Sequence, residues 1–487
     1  MNTQTLSSDP LDSGVRASAH PVLIQGGMGI AVSDWRLARA VSQRGQLGVV
    51  SGTALDAVLA RRLQLGDEGG HLRRALDAFP CSEMAGRVWD RYYGSTGVNG
   101  SFKSRPLHKL DTARAAQELI IIANFVEVFL AKEGHDGLVG INLLEKIQIP
   151  TAPSLFGAML AGVDYVLMGA GIPRAIPGIL DQLSRWELVQ HRIDVKDAGD
   201  ETFLAEFDPT GYLPKGSSEL KRPYFLPIVS SSVLALSLVR KGSGRIDGFV
   251  VEGPTAGGHN APPRGELQLS ERHEPIYGPR DEVDLAKFRE LGLPFWLAGG
   301  AAKPGRLEEA LAEGAQGIQV GTAFALCDES GIEAELKRRV IQEALAGSLD
   351  VFTDPLASPT GFPFKVAKVD GSLGCSEVFE ARERLCDLGY LRQAYRKDDA
   401  SVGFRCPAEP AEDFVRKGGD LQETVGRKCV CNGLMASIGL GQHRKDGYKE
   451  PPLITTGDDI DCLKRLVKPG ENHYTASDVI DMLLARQ

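Results

Sequence analysis

Eight short apolar runs punctuate the first two thirds of the chain, at residues 22–25, 47–51, 138–142, 164–168, 226–230, 248–252, 294–299 and 317–321. Most are four to six residues long and rich in Val, Ile and Leu, the pattern of strands buried on both faces. The segments between them carry helical spacing, with Trp35, Leu37, Ala38 and Val41 after the first run and Leu307, Ala310 and Leu311 after the seventh. Strand followed by helix, eight times over, is the pattern of a parallel (β/α)8 TIM barrel. A doubly wound open sheet is the competing arrangement, and the position of the unusual residues decides against it. Gly26 and Gly27, Ser51 and Gly52, Asn142, Gly169, Ser230, His259, Gly299 and Gly300, and Gly321 and Thr322 all stand at or just past the C-terminal ends of their runs. In a barrel those ends converge on the one face where active sites are built.

The remainder divides around that barrel. Residues 1–19 are polar, lack the charged-then-apolar order of a signal peptide, and read as a partly disordered lead-in. The barrel spans 20–350, with insertions at about 53–137 and 190–225, far longer than ordinary βα connections. The first is expected as an elaborated loop over the active face, the second as a surface excursion or a lid. Residues 351–487, which carry most of the cysteines, read as a C-terminal accessory domain. Fifty-five basic against 64 acidic side chains give a net charge of −9 with no Lys/Arg-rich run, which argues against nucleic acid or an anionic membrane as partner. The most apolar stretch, 152–172, is interrupted by Asp164, glycines and proline and reads as a barrel helix with its following strand. A cytoplasmic enzyme is the expectation.

The firmest chemistry lies at the seventh and eighth runs. Leu297-Ala298-Gly299-Gly300-Ala301-Ala302 and Val320-Gly321-Thr322-Ala323-Phe324 fall where barrels place phosphate on main-chain N–H groups. Glycines let the backbone approach the anion, and Thr322 has a hydroxyl to donate. Gly169-Ala170-Gly171-Ile172-Pro173-Arg174 begins like a dinucleotide fingerprint but has arginine where Gly or Ala is required. It is a barrel loop. The sixth run leads into Glu252-Gly253-Pro254-Thr255-Ala256-Gly257-Gly258-His259. No second histidine is spaced to share a metal with His259; its place in a glycine-rich loop past a barrel strand makes it the candidate proton-transfer residue. Neither a Gly-x-Ser-x-Gly elbow nor a Walker A loop is present, so hydrolase and nucleoside-triphosphatase readings lack support.

Taken together, Gln25-Gly26-Gly27-Met28-Gly29, Gly140-Ile141-Asn142-Leu143, the Gly-Pro-Thr-Ala-Gly-Gly-His run, Ala298-Gly299-Gly300 and Val320-Gly321-Thr322 resemble the nitronate monooxygenase family, formerly 2-nitropropane dioxygenases. That superfamily also holds FMN-dependent enoyl-acyl-carrier-protein reductases. The resemblance covers roughly residues 20–350. It implies FMN in a TIM barrel, with Gly26, Gly27, Met28 and Asn142 near the isoalloxazine and Gly299, Gly300, Gly321 and Thr322 at the phosphate. Gly169, Ser230, Glu252 and Gly258 join the expected cofactor wall, and His259 becomes the proton-transferring residue. Pro254-Thr255 departs from the family, which more often has an acidic residue before Ala-Gly-Gly-His. The stretch Ser358-Pro359-Thr360-Gly361-Phe362-Pro363-Phe364-Lys365 looks more like the enoyl-reductase relatives that serve fatty-acid or polyunsaturated-fatty-acid assembly.

Five of the eight cysteines, Cys375, Cys386, Cys406, Cys429 and Cys431, cluster between residues 375 and 431. Their spacing matches neither a zinc ribbon nor a ferredoxin run. Buried thiols, a [4Fe–4S] cluster on Cys386, Cys406, Cys429 and Cys431 with Cys375 as the alternative ligand, and zinc are the open readings. Three functions follow: a nitronate monooxygenase, which leads; an acyl-thioester reductase or dehydrogenase/isomerase, with acyl carrier protein among its partners; and a flavin-binding subunit of a synthase complex. The expected substrate is a small nitronate or an acyl thioester, and a homodimer is the expected assembly.

Overall fold

A computed structural model describes residues 20–97, 100–444 and 446–485; the expected lead-in at 1–19 lies outside them. Eight parallel strands close into a barrel: β1 (Leu23–Gln25), β2 (Leu47–Ser51), β3 (Val139–Leu144), β4 (Tyr165–Gly169), β5 (Tyr224–Val229), β6 (Phe249–Glu252), β7 (Phe295–Ala298) and β8 (Gly317–Val320). Each pairs with its neighbours in sequence, and β8 returns to β1, with Leu23 opposite Ile318. The (β/α)8 expectation holds strand for strand.

Alternation along each strand sorts the side chains. Ile24, Val49, Tyr165, Leu167, Leu226, Val250 and Trp296 fill the barrel interior as one cluster, while Leu23, Val50, Val166, Phe225, Phe249, Phe295 and Ile318 belong to the core beneath the helices. The interior is therefore a packed plug, not a pore. Its lower end is sealed by the incoming chain: the Trp296 indole donates to the Pro21 carbonyl at 2.8 Å, and His20 Nδ1 meets the Tyr165 hydroxyl at 2.8 Å. Among the described residues, the barrel interior opens at its C-terminal end.

The insertion between β2 and β3 corrects one expectation. It folds mainly as helices Leu55–Leu65, His71–Asp77, Ser82–Tyr92 and Arg114–Lys132, whose buried faces share the core beneath the barrel's outer surface. Only Thr53 from this stretch lines the active-face cavity; Phe102 packs instead beneath tail residues Leu388 and Tyr390. The long apolar helix Arg114–Lys132 needed a partner on nearly every side, and it finds them on the barrel flank.

The second insertion carries strands Val189–Ile193 and Phe203–Phe207, paired antiparallel. The short strand Val195–Lys196 pairs with Gln393–Arg396, which in turn pairs with Val402–Arg405. The excursion thus grips the tail. The tail from residue 351 to residue 485 runs over the active face and back down the barrel: strand Phe364–Lys368 pairs with Asp350–Asp354, and helix Ala476–Leu484 contributes Val479, Ile480 and Leu483 to the same core cluster as the barrel helices. Among the described residues no helix is long and apolar enough to cross a membrane.

Candidate active site

The C-terminal ends of the strands surround a cavity of about 1600 Å³ including its mouth. Gly26, Gly27, Met28, Asn142, Gly169, Glu252, Gly258, His259, Gly299, Gly300, Gly321 and Thr322 all line it. Ser230 does not. It lies one residue beyond β5, where its carbonyl accepts from Arg264 Nη2 at 2.6 Å, and Ile228 faces the cavity in its stead.

The floor depends on the absence of side chains. A Cβ at Gly27 would collide with Asn142 Cβ, and one at Gly29 would lie 2.9 Å from Ser51 Oγ. Asn142 Nδ2 donates to the Gly27 carbonyl at 2.8 Å, which leaves its buried Oδ1 without a protein partner. Gln319 Oε1 and Thr456 Oγ1, on the same wall, are also buried and unpaired. Buried polar atoms are almost always paired, so these three mark where a polar ligand completes the site.

At the ends of β7 and β8, Gly299 and Gly300 hold φ values of +93° and +62°, which a side chain would strain. The N–H groups of Gly300 and Ala301 reach no acceptor among the described residues. Thr322 Oγ1 accepts from the Gly457 N–H at 2.8 Å, so its own proton is free to be donated. The result is a glycine-walled cradle of donors, suited to a phosphate.

His259 is fixed by the tail. Its Nε2 lies 2.6 Å from Ser358 Oγ, which is 2.8 Å from Thr360 Oγ1. The imidazole stands edge-on to Phe364, with ring centroids 4.8 Å apart. The flanking backbone is tied to the same tail segment: Lys365 N–H donates to Gly258 O at 3.0 Å, and Asn260 N–H to Pro363 O at 2.9 Å. Burial pushes the imidazole down to about 4 and the Glu252 carboxyl up to about 8. Both groups are therefore uncharged at neutral pH.

Sequence reasoning missed the tail's share of the wall: Phe364, Tyr390, Cys431, Thr455, Thr456 and Gly457. Ser358 and Phe364 lay inside a stretch already singled out, without a clue to their position. Gln319 had a legible signal, a polar residue inside the apolar run of β8.

The tail cysteines are partly gathered. Cys386, Cys406, Cys429 and Cys431 line one small cavity, and Cys431 also lines the large one. Cys375 is elsewhere, its thiol donating to the Val369 carbonyl at 3.3 Å, which corrects its place as the alternative ligand. Among the described residues no three His, Cys, Asp or Glu side chains are arranged to hold a single metal ion.

Residues 219–353 match the family model for nitronate monooxygenase. The motif resemblance thus has independent support over the barrel's second half, where His259 and the phosphate cradle lie. A curated relative, (3aS,4S,5R,7aS)-5-hydroxy-7a-methyl-1-oxo-octahydro-1H-indene-4-carboxyl-CoA dehydrogenase of Mycobacterium tuberculosis, is 28% identical over 167 residues, 33% of this chain and 44% of the relative. The match therefore spans less than half the length of that relative. Among solved structures, nitroalkane oxidase from Streptomyces ansochromogenes aligns at 14% identity and a TM-score of 0.43, covering 95% of this chain and 94% of that one. FabK from Thermotoga maritima aligns at 19% identity and a TM-score of 0.37, covering 72% of this chain and 71% of its own. The glycine cradle and the three orphaned polar atoms fit the FMN that the family resemblance implies.

Proposed function

We propose that the protein is an FMN-dependent oxidoreductase of the nitronate monooxygenase type, in which His259 moves the proton of a carbon acid. The carrying observation is His259 itself, a neutral imidazole hydrogen-bonded to Ser358 on the wall of a glycine-lined cavity. Asn142, Gln319 and the residues flanking Gly27 are the groups to hold an isoalloxazine; Gly299, Gly300, Gly321 and Thr322 are those to hold its phosphate. When bound, FMN supplies the electron-transfer chemistry that side chains lack.

The chain's own residues account for the rest. A nitronate arises when the acidic α-carbon of a nitroalkane loses its proton, and a neutral imidazole is a suitable acceptor. Ser358 accepts from the Nε2–H and keeps the ring in one orientation, with the Nδ1 lone pair left to take the proton. Glu252, protonated at neutral pH, places no negative charge against an anionic substrate. The apolar wall of Phe364, Leu391, Val430 and Leu434 limits water around the reacting carbon.

A second reading is favoured by the mycobacterial relative, whose name is that of a dehydrogenase of a carboxyl-CoA thioester. An acyl thioester also has an acidic α-carbon, so the same histidine serves, and acyl carrier protein or coenzyme A is then the carrier.

The test is anaerobic titration of the purified protein with a nitronate and with acyl thioesters while the flavin spectrum is followed. Bleaching by nitronate is expected; bleaching by acyl thioester alone makes the second reading the right one. His259→Ala is expected to keep FMN and lose about 10²–10⁴-fold in turnover, the range for one positioned acid or base. Full turnover in that variant would reduce the residue to a structural one. Gly300→Asp is expected to abolish flavin retention. A protein that takes up no FMN after gentle purification and reconstitution defeats the proposal.

A further inference from the structure

We propose that Cys386, Cys406, Cys429 and Cys431 hold a [4Fe–4S] cluster one side-chain layer from the flavin cavity. The four thiols come from three segments that the fold brings together. Cys386 is on the loop before strand Gln393–Arg396, Cys406 follows strand Val402–Arg405, and Cys429 and Cys431 flank the first residue of helix Val430–Ser437. All four line the same small cavity, with Leu388, Leu391 and Ala408. Incidental core thiols have no reason to converge from separate elements.

The surrounding charge is the second, independent observation. Arg384, Arg392 and Arg427 stand close enough for Cys406 to act on each electrostatically, and Cys386 acts on Arg392. Each guanidinium donates only to backbone carbonyls: Arg384 to Pro407 and Thr424, Arg392 to Gly389 and His108, Arg427 to Glu423, Leu356 and Ser358. Among the described residues none of the three makes a close ion pair with a carboxylate; Asp354 and Glu423 act on Arg427, and Glu409 on Arg392, from farther off. The nearby carboxylates are already engaged, Glu409 by Lys417 at 2.8 Å, Asp387 by Arg61 at 3.0 Å and Glu450 by Arg382 at 2.5 Å. The cavity thus sits in a basic surround with no close carboxylate on it. A cubane ligated by four thiolates carries net negative charge and complements that surround.

A cubane takes one thiolate on each of four irons, and four cysteines line this cavity. The loop bearing Cys386 is pinned through its carbonyls, with Asn432 and Arg105 donating to Leu385 and Leu388, the kind of outer support that ligand loops require. Leu391, Val430 and Cys431 line both cavities, so the cluster borders the proposed redox site.

The inference does not rest on the flavin reading, because iron and FMN are counted separately. Full-length protein produced with iron and purified without oxygen is expected to contain about four iron and four labile sulfide per chain. Reduction with dithionite is expected to give the electron paramagnetic resonance of a one-electron-reduced cluster. Cys386→Ser, Cys406→Ser, Cys429→Ser and Cys431→Ser should each lower the iron content, and Cys375→Ser should not. Arg392→Gln should keep the iron and lower the cluster's midpoint potential, since a cation that favours the more negative reduced form has gone; an unchanged potential overturns the role given to the arginines. Wild-type protein that folds yet holds no iron after anaerobic reconstitution with Fe²⁺ and sulfide, or that holds one zinc instead, overturns the site without recourse to any variant.

Discussion

Glu252 and His259 face one cavity and are displaced in opposite directions by the same cause, the loss of water around each. His259 is charged only below about pH 4, and Glu252 only above about pH 8. If turnover needs a neutral imidazole and a protonated carboxyl, kcat/KM rises through about pH 4, stays level, and falls through about pH 8. Glu252→Gln, which cannot ionise, should abolish the alkaline fall and leave the acid limb in place. An alkaline limb shared by wild type and variant would remove Glu252 from the reaction. The floor of the site makes a second demand at single-atom scale. Gly27→Ala adds a Cβ against Asn142, and since Asn142 cannot retreat without giving up its bond to the Gly27 carbonyl, FMN affinity should fall. Fluorescence titration of the apoprotein with FMN checks this; unchanged affinity would show that Asn142 is not at the cofactor. These residues were legible because polar or glycine positions break an apolar pattern. Ser230 was misplaced for the converse reason: a polar residue after a strand looks alike whether it faces the cavity or the rim.

The eight strands were readable because a strand buried on both faces must be apolar along its length, and that constraint is local. Where helices dock was not readable in the same way. The large span between β2 and β3 said nothing about which side of the barrel helix Arg114–Lys132 would cover. Close contact with helix Thr151–Leu160 decides it, through Gly157, whose missing side chain lets the helix meet the Ile121 carbonyl. Gly157→Ala should overpack that contact and cost about 1–3 kcal/mol, read as a lower urea midpoint with unchanged slope. A midpoint equal to wild type would mean that the two helices are free to slide apart. The excursion at 190–225 shows the same limit, since its strand Val195–Lys196 finds its partner some two hundred residues away in the tail, beyond the reach of periodicity.

At the scale of the whole molecule, the barrel supplies one half of a site and the tail supplies the other. Ser358 orients His259, Gly457 engages Thr322, and Lys365, buried on strand Phe364–Lys368, joins Asp458 at 2.8 Å beside the same segment. A chain ending at residue 350 should therefore fail to retain FMN, and should expose the apolar core that Val479, Ile480 and Leu483 cover. A soluble, flavin-loaded 20–350 fragment would show that the tail is an appendage. From sequence alone came the strand order, the glycine cradle and the candidate histidine, because each is encoded within a few adjacent residues by burial, chain geometry or composition. Only the tertiary structure decided that the tail is the lid of the active site, that Cys375 stands apart while the other four meet, and that three arginines surround them. Those outcomes depend on which distant segments pack together, and such pairings follow from the complementarity of whole surfaces, which no local pattern along the chain records.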